Sequence, residues 1–330
     1  MKNKKAATAL KILLPAALII VLIFALFPEK IERRDIFAMD TYISVTQQGG
    51  DIDTVISAIT DISASLDMYS GVLMESNSSE KIGNDIIFSA TEKTLSLNER
   101  YGNSVDITAG ALTKLWGISG ENPTVPDKSD IDKALATIGG IQLDGGAVHK
   151  NSDTLLDFGS VAKGYACDRV YDILENSDSD YAIVSMGSSS LLYGRKPDGS
   201  DFRIEIKNPD GNDTPLGMIE TDGCFISTSG GYERFFMADG KDYCHILDLT
   251  TGYPTESSLV SVTVISTGTD GGIKTDFLST MIFLEGSENI EKHLGADDYK
   301  VIAADKNGNV YVSEGLDFTL YENNGYSLCE

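Results

Sequence analysis

The chain has 330 residues, with 26 Lys and Arg against 50 Asp and Glu, a formal net charge of −24. Residues 1–30 hold five lysines and one glutamate, so the remaining 300 carry −28, a balance that repels phosphate backbones and argues against double-stranded nucleic acid as a partner. At 42% apolar and 23% charged residues the composition is globular rather than disordered, and any phosphate site must be built locally, from backbone N–H groups, a lysine or a metal ion.

Lys2, Lys4, Lys5 and Lys11 precede 16 uncharged, mostly apolar residues at positions 12–27, closed by Pro28. A membrane span needs about 17–25 helical residues, a length reached if Lys11 snorkels. The flanking lysines predict an inside N-terminus and a body outside the membrane. Residues 24–28 offer no small-x-small cleavage site, and no cysteine follows that could carry a lipid. An uncleaved anchor over residues 1–28 is therefore the expectation, with a cleaved signal peptide as the alternative. A charged linker is expected at 29–35, followed by a domain over 36–330.

In that domain residues 41–47 alternate and predict a strand, and 51–68 carry Val55, Ile56, Ile59, Ile62 and Leu66 near helical spacing. Residues 90–118 read as largely helical, 119–128 as a Gly/Pro/Asp-rich loop, and 129–139 as a short helix. From Thr154 the pattern is strand, glycine turn, then helix through about Asn176. Residues 181–265 read mainly as strands, 274–284 as a helix and 300–313 as a hairpin. The mix predicts an α+β domain with mostly antiparallel sheets.

Several constellations could carry chemistry. Asp157, Ser160 and Lys163 lie where an apolar strand runs through Gly159 into a helix start, a place for phosphate, although the order is not a Walker A loop. Asp276 and Thr280 share one helix face at i, i+4; with Ser160 they would give hard oxygen ligands suited to Mg²⁺ or Ca²⁺. His245 sits at a strand end before a tight turn and could act as a base, while His149 and His293 read as solvated. Residues 227–231, Ser-Thr-Ser-Gly-Gly, read as a hydroxyl-rich turn, either a phosphate cradle or a plain hairpin. Met39, Tyr69 and the Leu115-Trp116-Gly117 segment offer surfaces that could sandwich an aromatic ring, with core packing as the plain reading. The four cysteines form no CxxC pair and read as buried small hydrophobes plus one in the tail.

The order of these pieces resembles the ApbE family, the FAD:protein FMN transferases. The resemblance rests on Met39-Asp40-Thr41-Tyr42, Leu66-Asp67-Met68-Tyr69, and Val105 to Gly110 leading to Leu115-Trp116-Gly117. It continues through Leu156-Asp157 to Lys163-Gly164-Tyr165-Ala166, Ser227 to Gly230, His245 to Asp248 with Thr251-Gly252, and Asp276 to Thr280. It implies an enzyme that cleaves the FAD pyrophosphate with Mg²⁺, attaches FMN to a Thr or Ser hydroxyl of an exported flavoprotein, and releases AMP. By matched position it implies Met39, Tyr69, Leu115, Trp116, Gly117, Asp157, Lys163 and Leu247 around FAD. Ser160, Asp276, Ser279 and Thr280 would surround the metal, and His245 would assist transfer beside Asp276. The chain departs from the family where Asp40 replaces a frequent glycine and where Gly187-Ser188-Ser189 replaces Gly-Gly-Glu or Gly-Gly-Asn. Two other readings remain at this point, a metal-dependent FAD diphosphatase and a non-catalytic extracellular flavin-binding protein.

Overall fold

The computed structural model describes residues 30–329 except Glu121, so the expected anchor at 1–28 lies outside the described residues. Among the described residues no helix is long and apolar enough to cross a membrane. Nine strands form one sheet whose spatial order follows the chain: β1 (Ile31–Ala38), β2 (Thr41–Gln48), β3 (Tyr181–Met186), β4 (Ser189–Gly194), β5 (Cys224–Gly230), β6 (Leu259–Ser266), β7 (Lys300–Asp305), β8 (Asn309–Val312) and β9 (Ser327–Leu328). Every neighbouring pair is antiparallel except β8 and β9. The architecture is thus mixed α+β with mostly antiparallel strands, as the pattern implied.

The strands alternate sides, as their two-residue period requires. On β7, Val301 and Ala303 enter the larger core, while Ile302 and Ala304 enter a second one. The larger core is covered by helices α1 (Ile52–Leu66), α2 (Asp85–Tyr101), α4 (Ala162–Glu175) and α5 (Gly271–Glu285), with α3 (Gly110–Trp116) on a satellite cluster. The second core lies under a three-stranded sheet of residues 202–206, 217–221 and 318–320. In α1, Val55, Ile59, Ile62 and Leu66 are all buried, the stripe their spacing predicts.

Four expectations are corrected. Residues 31–35 are not linker but the first half of β1, whose side chains are largely exposed, so pairing with β2 and not burial makes the strand. The stretch 90–118 is two helices, because Gly102 leaves helical geometry at φ 117 and the Asp106 carboxylate accepts from Thr108 N–H in a turn. Residues 154–160 form no strand beyond one bridge between Ala109 and Leu155. Here the Asn77 side chain imitates a strand partner, donating to Leu156 O at 2.9 Å and accepting from Leu156 N–H at 2.8 Å. Residues 227–230 are not a turn but the end of β5, with each hydroxyl stitched to a neighbour.

Candidate active site

The site is organised by α5, which packs between α4 and the sheet. Its start is capped from α4, where the Asp168 carboxylate accepts from Gly272 N–H at 2.7 Å and Ile273 N–H at 2.9 Å. The two helices touch backbone to backbone at Gly164 and Gly272. A Cβ on Gly164 would lie 2.1 Å from Gly272 O, so only glycine permits this approach. The closeness brings Asp276, one turn into α5, under the first turn of α4. Its Oδ2 accepts from Gly164 N–H at 2.6 Å, and its Oδ1 accepts from the Ser189 hydroxyl at 2.6 Å. The phosphate-like place expected at that helix start is thus partly filled by the chain's own carboxylate.

Around Asp276 lies a shell of hydroxyls. Ser229 Oγ is 2.8 Å from Ser279 Oγ and 3.2 Å from Thr280 Oγ1, and Ser279 donates to Asp276 O at 3.0 Å. Asp276 is 5% exposed and Thr280 half-buried. Among the described residues no three His, Cys, Asp or Glu converge as a metal cage. One carboxylate among hydroxyls fits a hard cation that takes its remaining ligands from water and substrate phosphates, as Mg²⁺ usually does.

These groups open onto one cleft of about 930 Å³. Met39, Tyr69, Asp157, Ser160, Lys163, His245, Leu247, Asp276 and Thr280 all line it. Half-buried Lys163 forms no ion pair among the described residues, which leaves its charge to an anion. The Asp157 carboxylate accepts from Gly159 N–H at 2.8 Å and shapes the turn leading to Ser160. His245 is held by the Arg234 carbonyl oxygen, which lies 3.0 Å from its N–H and 3.2 Å from its Nδ1. A carbonyl only accepts, so the ring proton sits on Nδ1 and Nε2 keeps its lone pair. Burial is the main cause that pushes the imidazole pKa down to about 4, with the Arg234 and Lys163 charges pushing the same way. The histidine is neutral at pH 7, with the Nε2 lone pair unprotonated.

Leu115, Trp116, Gly117 and Ser279 stand apart from the cleft wall. Trp116 is 1% exposed, donates from its indole N–H to Gly252 O at 2.8 Å, and packs against Tyr243 and Tyr253 at 5.5 and 5.6 Å. It supports the 245–252 segment from beneath. Gly117 ends α3 in the left-handed region, and the Ser279 hydroxyl is turned to Ser229 and the Asp276 carbonyl. The other two histidines are not solvated. His293 is 4% exposed between Tyr299 OH at 2.8 Å and Glu285 at 2.7 Å, and His149 is half-buried in a strand at 147–149.

The ApbE family model matches residues 39–303, which include every element of this site. The chain belongs to the ApbE family. It is 34% identical over 221 residues to an FAD:protein FMN transferase of Klebsiella pneumoniae (strain 342), a match covering 64% of this chain and 66% of that protein. It is 29% identical over 273 residues to an FAD:protein FMN transferase of Treponema pallidum (strain Nichols), covering 76% and 72%. Among solved structures it resembles the ApbE protein of Thermotoga maritima, with TM-score 0.77 and 26% identity over 86% of this chain and 97% of that one. The flavinyl transferase ApbE of Pseudomonas stutzeri gives TM-score 0.73 at 27% identity, covering 90% and 96%.

In this ApbE chain the cleft also takes residues that sequence reasoning left out. Gly187 and Ser188 line it, and Ser189 is the hydroxyl that orients Asp276. The departure of 187–189 from the family pattern was the available signal. Asp106 lines it from within the Val105 to Gly110 motif, and Thr113 and Arg234 line it too, without a sequence signal beyond ordinary polar residues.

Proposed function

We propose that this chain is an FAD:protein FMN transferase, a transferase that moves FMN from FAD to a Ser or Thr hydroxyl of an exported flavoprotein. The observation that carries it is the convergence on one cleft of an unpaired lysine, a neutral histidine with a bare Nε2, and a carboxylate ringed by hydroxyls, in a chain of the ApbE family.

FAD lies in the cleft with its pyrophosphate toward Lys163, whose charge offsets that building on the phosphoryl oxygens. Asp276, Thr280 and Ser160 would hold Mg²⁺, with Ca²⁺ the other hard cation that fits. When bound, the ion supplies Lewis-acid polarisation of the phosphate. His245 Nε2 takes the proton from the acceptor hydroxyl as its oxygen bonds to the FMN phosphorus. The bond from that phosphorus to the bridging oxygen breaks, and AMP leaves with the bridging oxygen. Gly164 N–H and Ser189 hold Asp276 still through this exchange. Met39, Tyr69 and Leu247 offer apolar contact to the flavin or adenine, and Asp157 holds the turn that carries Ser160.

On the lysines and apolar run at 1–28, the catalytic body would lie outside a cell membrane on a single-pass anchor, where it would meet exported acceptors. The domain over 36–330 would carry the whole reaction.

The test incubates the protein with FAD and Mg²⁺, with and without an exported FMN-binding domain, following AMP and covalent flavin. AMP release with fluorescent flavin fixed on the acceptor supports the transferase. AMP release indifferent to acceptor, with all FMN free, makes the protein a diphosphatase, and intact bound FAD makes it a carrier.

A further inference from the structure

The cleft holds an ion pair that the proposed chemistry does not use. Asp40 belongs to the turn between β1 and β2. Arg234 belongs to the bend that enters the hairpin of residues 235–238 and 241–244. Arg234 Nη1 lies 2.8 Å from Asp40 Oδ2, and Nη2 donates to Asp40 O at 3.3 Å. Both side chains line the cleft.

Each end of this pair is fixed to something further. Met39 and Asp40 form a two-residue hairpin turn with φ of 51° and 56°, a geometry that favours glycine and asparagine and that aspartate tolerates. The turn is pinned to α1 by Met39 N–H donating to Ser63 Oγ at 3.0 Å. At the other end, the Arg234 carbonyl accepts from both the N–H and the Nδ1–H of His245. A run of contacts therefore leads from α1, through the turn and the guanidinium, to the imidazole.

We propose that the Asp40–Arg234 pair is a latch that positions His245, holding the Arg234 peptide so that its carbonyl keeps the ring in the Nδ1–H form with Nε2 free. This rests on reading the cleft as the transfer site. Asp40 and Arg234 are positioning residues, while His245 meets the acceptor hydroxyl. An ion pair as exposed as this one adds little to overall stability, so stability does not account for an aspartate where the backbone prefers glycine. A guanidinium held at two nitrogens fixes a direction, which a positioning group needs and a solvated charge does not supply. The charges that bear on His245 are Arg234 and Lys163, both cationic.

The experiment compares the full-length protein with Asp40→Gly, Arg234→Met and the double variant. The ¹⁵N shifts of the His245 imidazole, assigned by their loss in His245→Asn, report the tautomer without turnover. The wild type is expected as the Nδ1–H form at pH 7, and each single variant as a mixture of tautomers. Transfer kcat is expected to fall about fivefold in each single variant, the scale of an exposed pair, with KM for FAD unchanged. The double variant should fall no further, because both changes open one latch. Asp40→Gly should melt no lower than wild type, since glycine relaxes the turn. Unaltered ¹⁵N shifts in both single variants, additive losses in the double, or a rise in KM alone would each overturn the latch. If the wild type transfers no FMN, the transferase reading fails, while the tautomer measurement still decides whether the pair positions the ring.

Discussion

Asp276→Asn separates charge from shape at the centre of the cleft. The amide is isosteric, and its oxygen can keep the bond from Gly164 N–H. Its NH₂ then faces Ser189, whose hydroxyl rotates to accept instead of donate. Both contacts survive as neutral bonds at about half their charge-assisted strength, a net cost of about 1 kcal/mol, or about 2–4 °C in Tm. Asp276→Ala differs, because it leaves the buried Gly164 N–H without an acceptor, at about 1–3 kcal/mol before any cavity is counted. The loss in chemistry should run the other way in scale. Asp276 supplies the formal charge among otherwise neutral donors, and removing one preorganised electrostatic contact from a transition state costs about 10²–10³ in rate. The assay is FMN transfer to an acceptor domain at saturating FAD across a Mg²⁺ titration, beside a thermal melt. Asp276→Asn should fold, melt close to wild type and lose at least about a hundredfold in transfer. Retention of more than a tenth of wild-type transfer, with the same Mg²⁺ dependence, would refute Asp276 as the charged centre. A collapse in Tm with the asparagine would instead make the carboxylate structural.

Four further outcomes follow from the geometry. Because His245 is held neutral to about pH 4, the acid limb of transfer kcat/KM should lie well below the ordinary histidine value of 6.5; a limb at 6.5 would show that another group is the base. The same shift has a sign for stability. The unfolded chain protonates this histidine more readily, so its contribution is full above pH 6.5 and falls as pH drops from 6.5 toward 4, which acid-side melting curves with His245→Asn would test. Trp116→Phe strands Gly252 O and thins a packed cluster, so Tm should drop while FAD affinity stays within threefold; a large affinity loss at constant Tm would make Trp116 a flavin contact. Gly164→Ala places a Cβ against Gly272 O, and the overpacking of about 1–3 kcal/mol or more should lower both Tm and transfer by moving Asp276, whereas an unchanged melt would mean the helices can part freely.

The parts of this site that were legible in the sequence are those whose chemistry is local. Asp276 and Thr280 declare a shared face by their spacing, Lys163 sits in the first turn of a helix after a glycine turn, and His245 stands at the mouth of a tight turn. What stayed hidden depends on partners far along the chain. His293 looks solvated between charged neighbours, yet it is buried because Glu285 and Tyr299 satisfy both ring nitrogens. The hydroxyls of 227–229 look like a turn because polar residues are rare in a central strand. They lie in one because Thr275, Thr263, Ser279 and Thr280 receive them. Trp116 invites a stacking role by its size, but its N–H found Gly252 O and its rings found tyrosines. Asp40 and Arg234 are ordinary surface charges until a strained turn and a hairpin entrance bring them to 2.8 Å. The common physical reason is that a buried polar group keeps its place only by finding a partner, and the sequence names the group without naming the partner. Polar residues that break the strand and helix patterns, as on β5 and α5, are therefore where this fold concentrates its chemistry.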